Sequence, residues 1–493
     1  MTDKDIRLIF SRSKQITVRL ELLNDAYQVV EELQGKSIQF PVNISGNSDI
    51  RSTASLTLVV EDGEVAEGIS KKIWLDNMVR AWATFTDFDT DESEEYLIGS
   101  FLFTENTYSY DAITQELTLS LVDMMASSTS ARGSQLGYET IVPAGSNMRN
   151  ALIATVAQFS NFKRYNVPEF EDTTYYDVEA QRGSYGHAIL SGLMAMHPTY
   201  QMFYNKEGVF TVQPIPTKIE DPVEVDSDIM DMALIAEKKN DSLSNVANVV
   251  EIWGKEIEPD YVATKCVTTE NVYQLTIDAE FETLTVNTRY SFTPATNNVD
   301  GQKIQINNLE AMPVYTQSGD GTEHLITGDE IKADRYYVVE YAGKDKFYLM
   351  GEATIHVIAK EVNKEPSEEE KEAQRKRDGC EDIVWVVNPD SRFAVEVIGE
   401  VRRVPTDPEY SDIYTTQLAF ERAKYELWKR TRQQDSITLQ CLLIPTLDVN
   451  TKIAYTSSSP NERTECLVQS ISADYANGIM TLTGIRFYPY YPF

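Results

Sequence analysis

Positive charge is what this sequence has least of. Lys and Arg number 44 against 77 Asp and Glu, a formal net charge of −33. A chain so short of cations does not wrap nucleic acid, because phosphate binding requires neutralisation by Lys and Arg. An acidic wall can still serve DNA by repelling it and letting it slide. Long apolar runs are missing too, and none approaches the ~20 residues that span a bilayer. The N-terminus, MTDKDIRLIFSRSK, lacks the continuous apolar core and small-residue cleavage site of a signal peptide, so synthesis in a cytoplasm is expected. Cys266, Cys380, Cys441 and Cys466 show no CxxC spacing, and His187, His197, His324 and His356 form no HExxH or other close ligand pair. Buried free thiols and structural imidazoles are the expected roles. There is no GxSxG elbow, no GxxxxGK[ST] phosphate loop and no GxGxxG after a strand, which removes the commonest hydrolase and nucleotide-binding signatures.

What is present is mostly β pattern. ITVRLELL (16–23), SLTLVVED (55–62), RAWATFTDF (80–88), EYLIGSFLFTENTYSYD and ELTLSLVDMM suggest a meander in a small barrel or sandwich over residues 1–130. Residues 131–240 change character. NMRNALIATVAQFS (147–160) and SYGHAILSGLMAMH (184–197) have helical spacing, while YQMFYNKEGVFTVQPIP (200–216) reads as a hairpin with Gly208 at positive φ. This is an α+β domain. A strand-rich block at 267–360, followed by the doubly charged stretch 361–379, reads as an inserted β-rich domain with a solvated helix or linker. A second β-domain then comprises 241–266 and 380–493, with a helix at 415–434. The fold class is mainly β with one α+β domain.

The two ends of the chain echo each other. Ser55–Leu58 corresponds to Ser436–Leu439, Arg80-Ala-Trp to Lys452-Ile-Ala, EYLIGSF (95–101) to ECLVQSI (465–471), and Leu117–Ser120 to Met480–Thr483. A Tyr and Asp pair follows each third strand, Tyr110-Asp111 and Asp474-Tyr475. The matches fall in one order, with the main length difference in EDGEVAEGISKKIWLDN, so an internal duplication is expected.

Chemistry-bearing patterns are few. DFDTDESEE (87–95) alternates Asp87, Asp89 and Asp91 but has Glu92 and Ile98 where an EF-hand needs Gly and Glu, so a hairpin is expected. LDVN (447–450) reads as a turn, with Asp448 and Asn450 bonding local backbone. Acidic neighbours such as Glu94-Glu95 are too common to mark a glycosidase pair. The tail YPYYPF closes the last strand or docks on a neighbouring subunit. No catalytic, cofactor-binding or metal-binding residue is assigned.

The run AFERAKYELWKRTRQQDSITLQCLLIPTLDVNTKIAYT (419–456), then CLVQSISADYANGIMTLTGIRFYP, resembles the C-terminal part of tailed-bacteriophage tail and baseplate hub proteins. RAWATF, EEYLIGSFLFTENTYSYD and LTLSLVDMM are similar to their first tube-like β-domain, and VPAGSNMRNALIATVAQF to the junction that follows. The resemblance implies a non-enzymatic structural protein of the virion. It also implies a homotrimer with two tube-like domains per chain, joining a sixfold tail tube or distal-tail ring to threefold spike or fibre proteins. A tape-measure protein is a further implied partner, and DNA would pass through the ring without specific binding. On that reading the acidic charge either lines the lumen or keeps the particle soluble. Two alternatives stay open: a tail-associated cell-wall hydrolase using paired carboxylates, and carbohydrate binding through 267–360.

Overall fold

The computed structural model describes all residues except 34–35, 60–76, 111–114, 161–162, 171–172, 175–176, 255–256, 318–322, 329, 379, 381, 407–412, 414–415, 432–433, 459–460 and 490–493. EDGEVAEGISKKIWLDN lies almost wholly outside the described residues, as do Asp111 and the end of YPYYPF.

The chain opens with a helix, α1 (Asp3–Phe10). Thr2 accepts from the Asp5 N–H while the Asp5 carboxylate takes the Thr2 N–H, a capping box that satisfies two orphan donors. Leu8 and Ile9 are fully buried, so this segment plugs the core. Next come β1 (Lys14–Leu23), β2 (Val29–Leu33), β3 (Lys36–Gln39), β4 (Pro41–Ser45), β5 (Ser52–Val59), β6 (Met78–Asp87), β7 (Ser93–Tyr110) and β8 (Gln115–Val122). The α+β region holds β9 (Thr140–Val142), α2 (Met148–Phe159), β10 (Tyr165–Asn166), β11 (Val178–Ala180), α3 (Gly186–Met194), β12 (Tyr200–Tyr204) and β13 (Phe210–Pro214). The β12–β13 turn is the expected NKEG, with Gly208 at φ +75°. A short helix, α4 (Ser227–Ala233), leads into β14 (Leu234–Ser242).

After β15 (Val249–Trp253) the chain enters β16 (Tyr261–Thr269), β17 (Val272–Ile277), β18 (Arg289–Phe292), β19 (Lys303–Ile306), β20 (Met312–Gln317), β21 (Glu323–Leu325), β22 (Tyr337–Gly343) and β23 (Lys346–Glu352). These form a sheet of their own around a separate core that includes Tyr273, Tyr290, Phe292 and Phe347. Then follow β24 (His356–Val362), α5 (Glu368–Asp378), β25 (Asp382–Val387), α6 (Val395–Ile398), β26 (Arg402–Arg403) and α7 (Thr416–Arg430). The chain closes with β27 (Gln434–Leu442), β28 (Lys452–Thr456), β29 (Arg463–Asp474) and β30 (Ile479–Arg486). Helix α5 buries no residue, as its composition requires. No helix among the described residues is long and apolar enough to cross a membrane.

The pairing redraws several expected boundaries. Strands from both ends lie in one sheet, ordered β14-β27-β30-β29-β4-β5-β8-β7-β6-β1-β2, over one hydrophobic core. The reason is the antiparallel pair β29–β4, with Ser472 opposite Asn43, which welds the ends together. β14, expected in the α+β region, is the terminal strand of this sheet. β15, β24, β25 and β26 form a four-stranded sheet instead of continuing the second β-domain. Its buried Val250, Ile252, Val357 and Ala359 pack with Leu418, Ala419, Ala423 and Leu427 of α7 in the core that holds α2 and α3. β24 therefore belongs outside the inserted block.

The duplication is visible in the path. β5 pairs β8, β8 pairs β7, and β7 pairs β6; β27 pairs β30, β30 pairs β29, and β29 pairs β28. Each third strand has a bulge against its fourth, at Thr104 and at Gln469. Aligning the bulges equates Ser120 with Thr483 and Leu119 with Leu482, as the sequence match has it. The same alignment moves two other matches. Leu56, not Leu58, becomes the counterpart of Leu439, and ECLVQSI answers residues 100–106 instead of EYLIGSF. β7 is longer than β29 and carries an extra one-residue irregularity against β6, between Ala81 and Trp82.

Candidate conduit wall and its supports

Alternation along these strands sorts side chains onto two faces. Leu56, Leu58, Leu119, Leu121, Ile437, Leu439, Met480 and Leu482 are buried in the core. The residues between them are half-buried or exposed, and they are hydroxyls and amides. One row runs across the joined ends as Gln440, Thr481, Ser472, Asn43 and Thr53. Another runs as Thr438, Thr483, Ser470 and Ser45. On β5 and β8, Ser55 faces Ser120 and Thr57 faces Thr118, with the latter hydroxyls 3.2 Å apart. Charged residues on this face include Lys238 on the terminal strand β14, Glu105 where β7 is paired by β8 alone among the described residues, and Glu116 and Asp474 near hairpin ends. The Asp474 carboxylate is turned into its own hairpin, accepting from the Ala476 and Asn477 N–H groups.

The two ends are locked by a buried arginine. Arg51 donates to Gln201 Oε1 at 2.9 Å, to Asp448 Oδ1 at 3.1 Å and to the Val449 carbonyl at 2.8 Å. Its guanidinium carbon lies 3.7 Å from the centre of the Phe203 ring. Asn450, at φ +57°, donates to the same Gln201 oxygen. The NKEG hairpin joins in: Tyr27 donates to the Gly208 carbonyl, Ser100 to the Lys206 carbonyl, and Lys206 Nζ to the Pro445 carbonyl. LDVN is a turn as expected, since Asp448 also accepts from the Val449 N–H, but its partnership with Arg51 was not foreseeable from local sequence. Nearby Asp123 is buried, which pushes its carboxyl up to about 6 despite N–H donors at Ser52 and Met125 and the Arg51 charge.

The remaining candidates have partners of their own. Asp87 accepts from the Asp89 N–H and the Thr90 hydroxyl in a β6–β7 hairpin with Asp91 at φ +58°. Glu94 pairs with Lys4 and Glu95 with Arg19, so this carboxylate pair is committed to ion pairs. His187 lies 3.1 Å from the Ser191 hydroxyl, and His197 packs against Phe170 and Tyr200. His324 lies on β21, and its carbonyl accepts from Thr316. His356 stacks on Trp253 with Nε2 2.8 Å from Glu251. All four cysteines are free. No group of three or more His, Cys, Asp and Glu among the described residues is placed to hold a metal. Pro489 accepts from the Trp428 indole, so the described start of the aromatic tail folds back on its own chain.

With this geometry in hand, comparison with known proteins gives three findings. Residues 390–491 match the family model described as Domain of unknown function (DUF5048). No match was found among curated proteins. A prophage MuSo2 43 kDa tail protein from Shewanella oneidensis is 9% identical, with 96% of this chain and 98% of that one covered and a TM-score of 0.44. A tail protein from Neisseria meningitidis MC58 gives 7% identity, 96% and 97% coverage and a TM-score of 0.47. A prophage tail protein from Listeria monocytogenes EGD-e gives 6% identity, 96% and 95% coverage and a TM-score of 0.44. The structural neighbours include prophage tail proteins and the baseplate of a phage.

Proposed function

We propose that the chain is a structural, non-enzymatic virion protein, the homotrimeric hub of a phage tail tip or baseplate. In that role it joins a sixfold tube or distal-tail ring to threefold spike or fibre components and encloses part of the DNA path. The observation that carries this reading is the internal joint. β4 lies beside β5 and offers its outer edge to β29, the third strand of the other series. β14 lies beside β27 in the same way, and its outer edge has no strand among the described residues. The counterpart of β29 is β7, which beyond Leu102 is paired by β8 on one side only among the described residues. Among the described residues one chain therefore has two edges that match the two halves of a joint it already makes. Open edges of this kind are ordinarily covered by pairing.

Head-to-tail pairing of β14 with β7 of the next chain makes a heterologous interface that closes when the rotation divides a circle. Three chains give six four-strand units around one axis. At ~4.8 Å per strand, twenty-four strands have a circumference of about 115 Å and a backbone diameter of about 37 Å, room for a DNA duplex. Light scattering and electron micrographs of the purified protein, alone and with its spike, test the reading. Threefold rings with six similar lobes are expected, and a monomer at all concentrations with and without the spike overturns it.

A second reading concerns the inserted sheet. Tyr315 and Tyr348 are register neighbours on β20 and β23, with the Lys346 ammonium 5.8 and 5.2 Å from their ring centres and Glu323 bonded to Lys346 and Tyr348. Aromatic rings beside charged donors and acceptors suit a sugar ring. Glycan-array binding that is lost in Tyr315→Ala and Tyr348→Ala tests it.

A further inference from the structure

A cavity of about 440 Å³ opens where the α+β region, the β4–β5 turn, helix α7 and the last two strands meet. That volume lies within the ~300–1,000 Å³ of sites that enclose a ligand. We propose that it docks a short acidic peptide segment of a partner protein, taking an aromatic side chain among its rings and a carboxylate on its cations. This site is independent of the joint between chains.

Helix α7 supplies one wall. Tyr425 and Trp428 stand at i, i+3 spacing and so share a face of the helix, with their ring centres 5.9 Å apart and their planes at 29°. The Trp428 indole donates to the Pro489 carbonyl at 3.0 Å, which fixes the ring. Phe487 and Tyr488 add two more rings from the segment that follows β30. Each cation of the lining stands beside a ring. Lys429 Nζ is 5.2 Å from the Tyr425 centre, and Arg486 Cζ is 6.0 Å from that of Tyr488. Trp, Tyr and Arg are the side chains that most often anchor a protein partner.

The sign of the lining selects the ligand. Lys429 and Arg486 line the cavity and, among the described residues, no Asp or Glu does, in a chain that has 77 of them. The carboxylates nearest these cations do not cancel them. Glu426 is divided between Lys429 at 3.0 Å and Arg430 at 3.3 Å, and its side chain is only 3% exposed. Glu462 lies 3.9 Å from Arg486, and both are about half exposed. An incoming carboxylate therefore gains charge-assisted hydrogen bonds here, bidentate on the guanidinium. Asn47 and Gln469 add side-chain amides that donate and accept at once, as a peptide backbone requires, whereas a phosphate chain only accepts. That favours an acidic peptide over a single nucleic-acid strand, which would use the same rings and cations.

The test is an array of tetrapeptides that place Glu, Gln or Lys beside Tyr, Phe or Ala, probed with the full chain. Members joining Glu to Tyr or Phe should bind best, and their Gln counterparts about tenfold more weakly. Lys429→Ala/Arg486→Ala should abolish that preference, while Lys429→Arg/Arg486→Lys keeps it, which separates lost charge from lost fold. An array with no preference for Glu, or a preference that survives the double Ala variant, would overturn the proposal. So would oligodeoxythymidylate that binds through the same two cations more tightly than any array member. Peptide binding that begins only when residues 490–493 are removed would also overturn it, by assigning the cavity to the chain's own tail.

Discussion

The first and second strand series follow one path with different surroundings. The first has β1 and β2 beside its β6, a capped helix against its core and an 18-residue third strand. The second has a third strand of 12 residues and α4 packed against β28. What both keep is the four-strand order, the bulge and a solvent face rich in hydroxyls and amides. On the proposed hub reading, the common features are those that build the ring.

The comparison can be broken most severely at Arg51, which belongs to the first series and whose carboxylate partner belongs to the second. Arg51→Ala removes a buried guanidinium together with its ion pair to Asp448, its bonds to Gln201 and the Val449 carbonyl and its contact with Phe203, and a loss of about 3–5 kcal/mol is expected by chemical denaturation. Asp448→Asn should cost less, because its side chain is 27% exposed. Leu56→Ala and Leu439→Ala come next. The two are equivalent and almost fully buried in one core, so each should cost about 2–5 kcal/mol and lower the same single transition. Two independent transitions would show that the series are separate domains.

Acid titration sharpens the comparison in opposite directions. Burial pushes Asp123 up to about 6, above its ordinary 3.8. The fold then holds that proton more tightly, so its contribution is full below pH 3.8 and is lost as pH rises through about 6. For Glu237, burial alone would raise the carboxyl, but hydrogen bonds from Tyr455, Ser458 and Lys239 outweigh it and hold it at about 2. Its contribution is present above 4.5 and is lost as pH falls toward about 2. Glu237→Gln should flatten the acid limb of the stability–pH curve, and Asp123→Asn the slope between pH 4 and about 6. The smallest effect is expected from replacing residues 261–352 by a short linker. That block has its own core, so the melting midpoint of the remainder should fall by only a few degrees.

Much of this was legible in sequence. Ser-Leu-Thr-Leu and Leu-Thr-Leu-Ser show the faces directly, NKEG the hairpin, and the spacing of Ala419, Ala423 and Leu427 the buried side of a helix. Register was not legible, because period-2 strings match equally well after a slip of two residues. That is why Leu58 looked like the counterpart of Leu439. The bulges at Thr104 and Gln469, which set EYLIGSF apart from ECLVQSI in the alignment, have no composition of their own. Helix α1 was hidden in a strand-rich context, although Thr2 and Asp5 carry its capping signal. β24 read as part of the inserted block because its Val357, Ile358 and Ala359 suit any buried strand, and only pairing with β15 and β25 places it. Arg51 was silent, since its partners lie 150 to 398 residues away.

The proposed joint between chains can be tested directly. The pairs Ser472–Asn43 and Ala473–Val42 transfer, under the same alignment, to Thr107–Asn240 and Tyr108–Lys239 of neighbouring chains. Directly opposed residues in antiparallel strands lie about 4.5–5.5 Å apart, within disulfide reach. Seven interstrand steps separate β14 from β7 within one chain. Mild oxidation of Thr107→Cys/Asn240→Cys should therefore give covalently linked trimers on a non-reducing gel, with neither single variant doing so. Trimers in solution that never crosslink through this pair would contradict the joint.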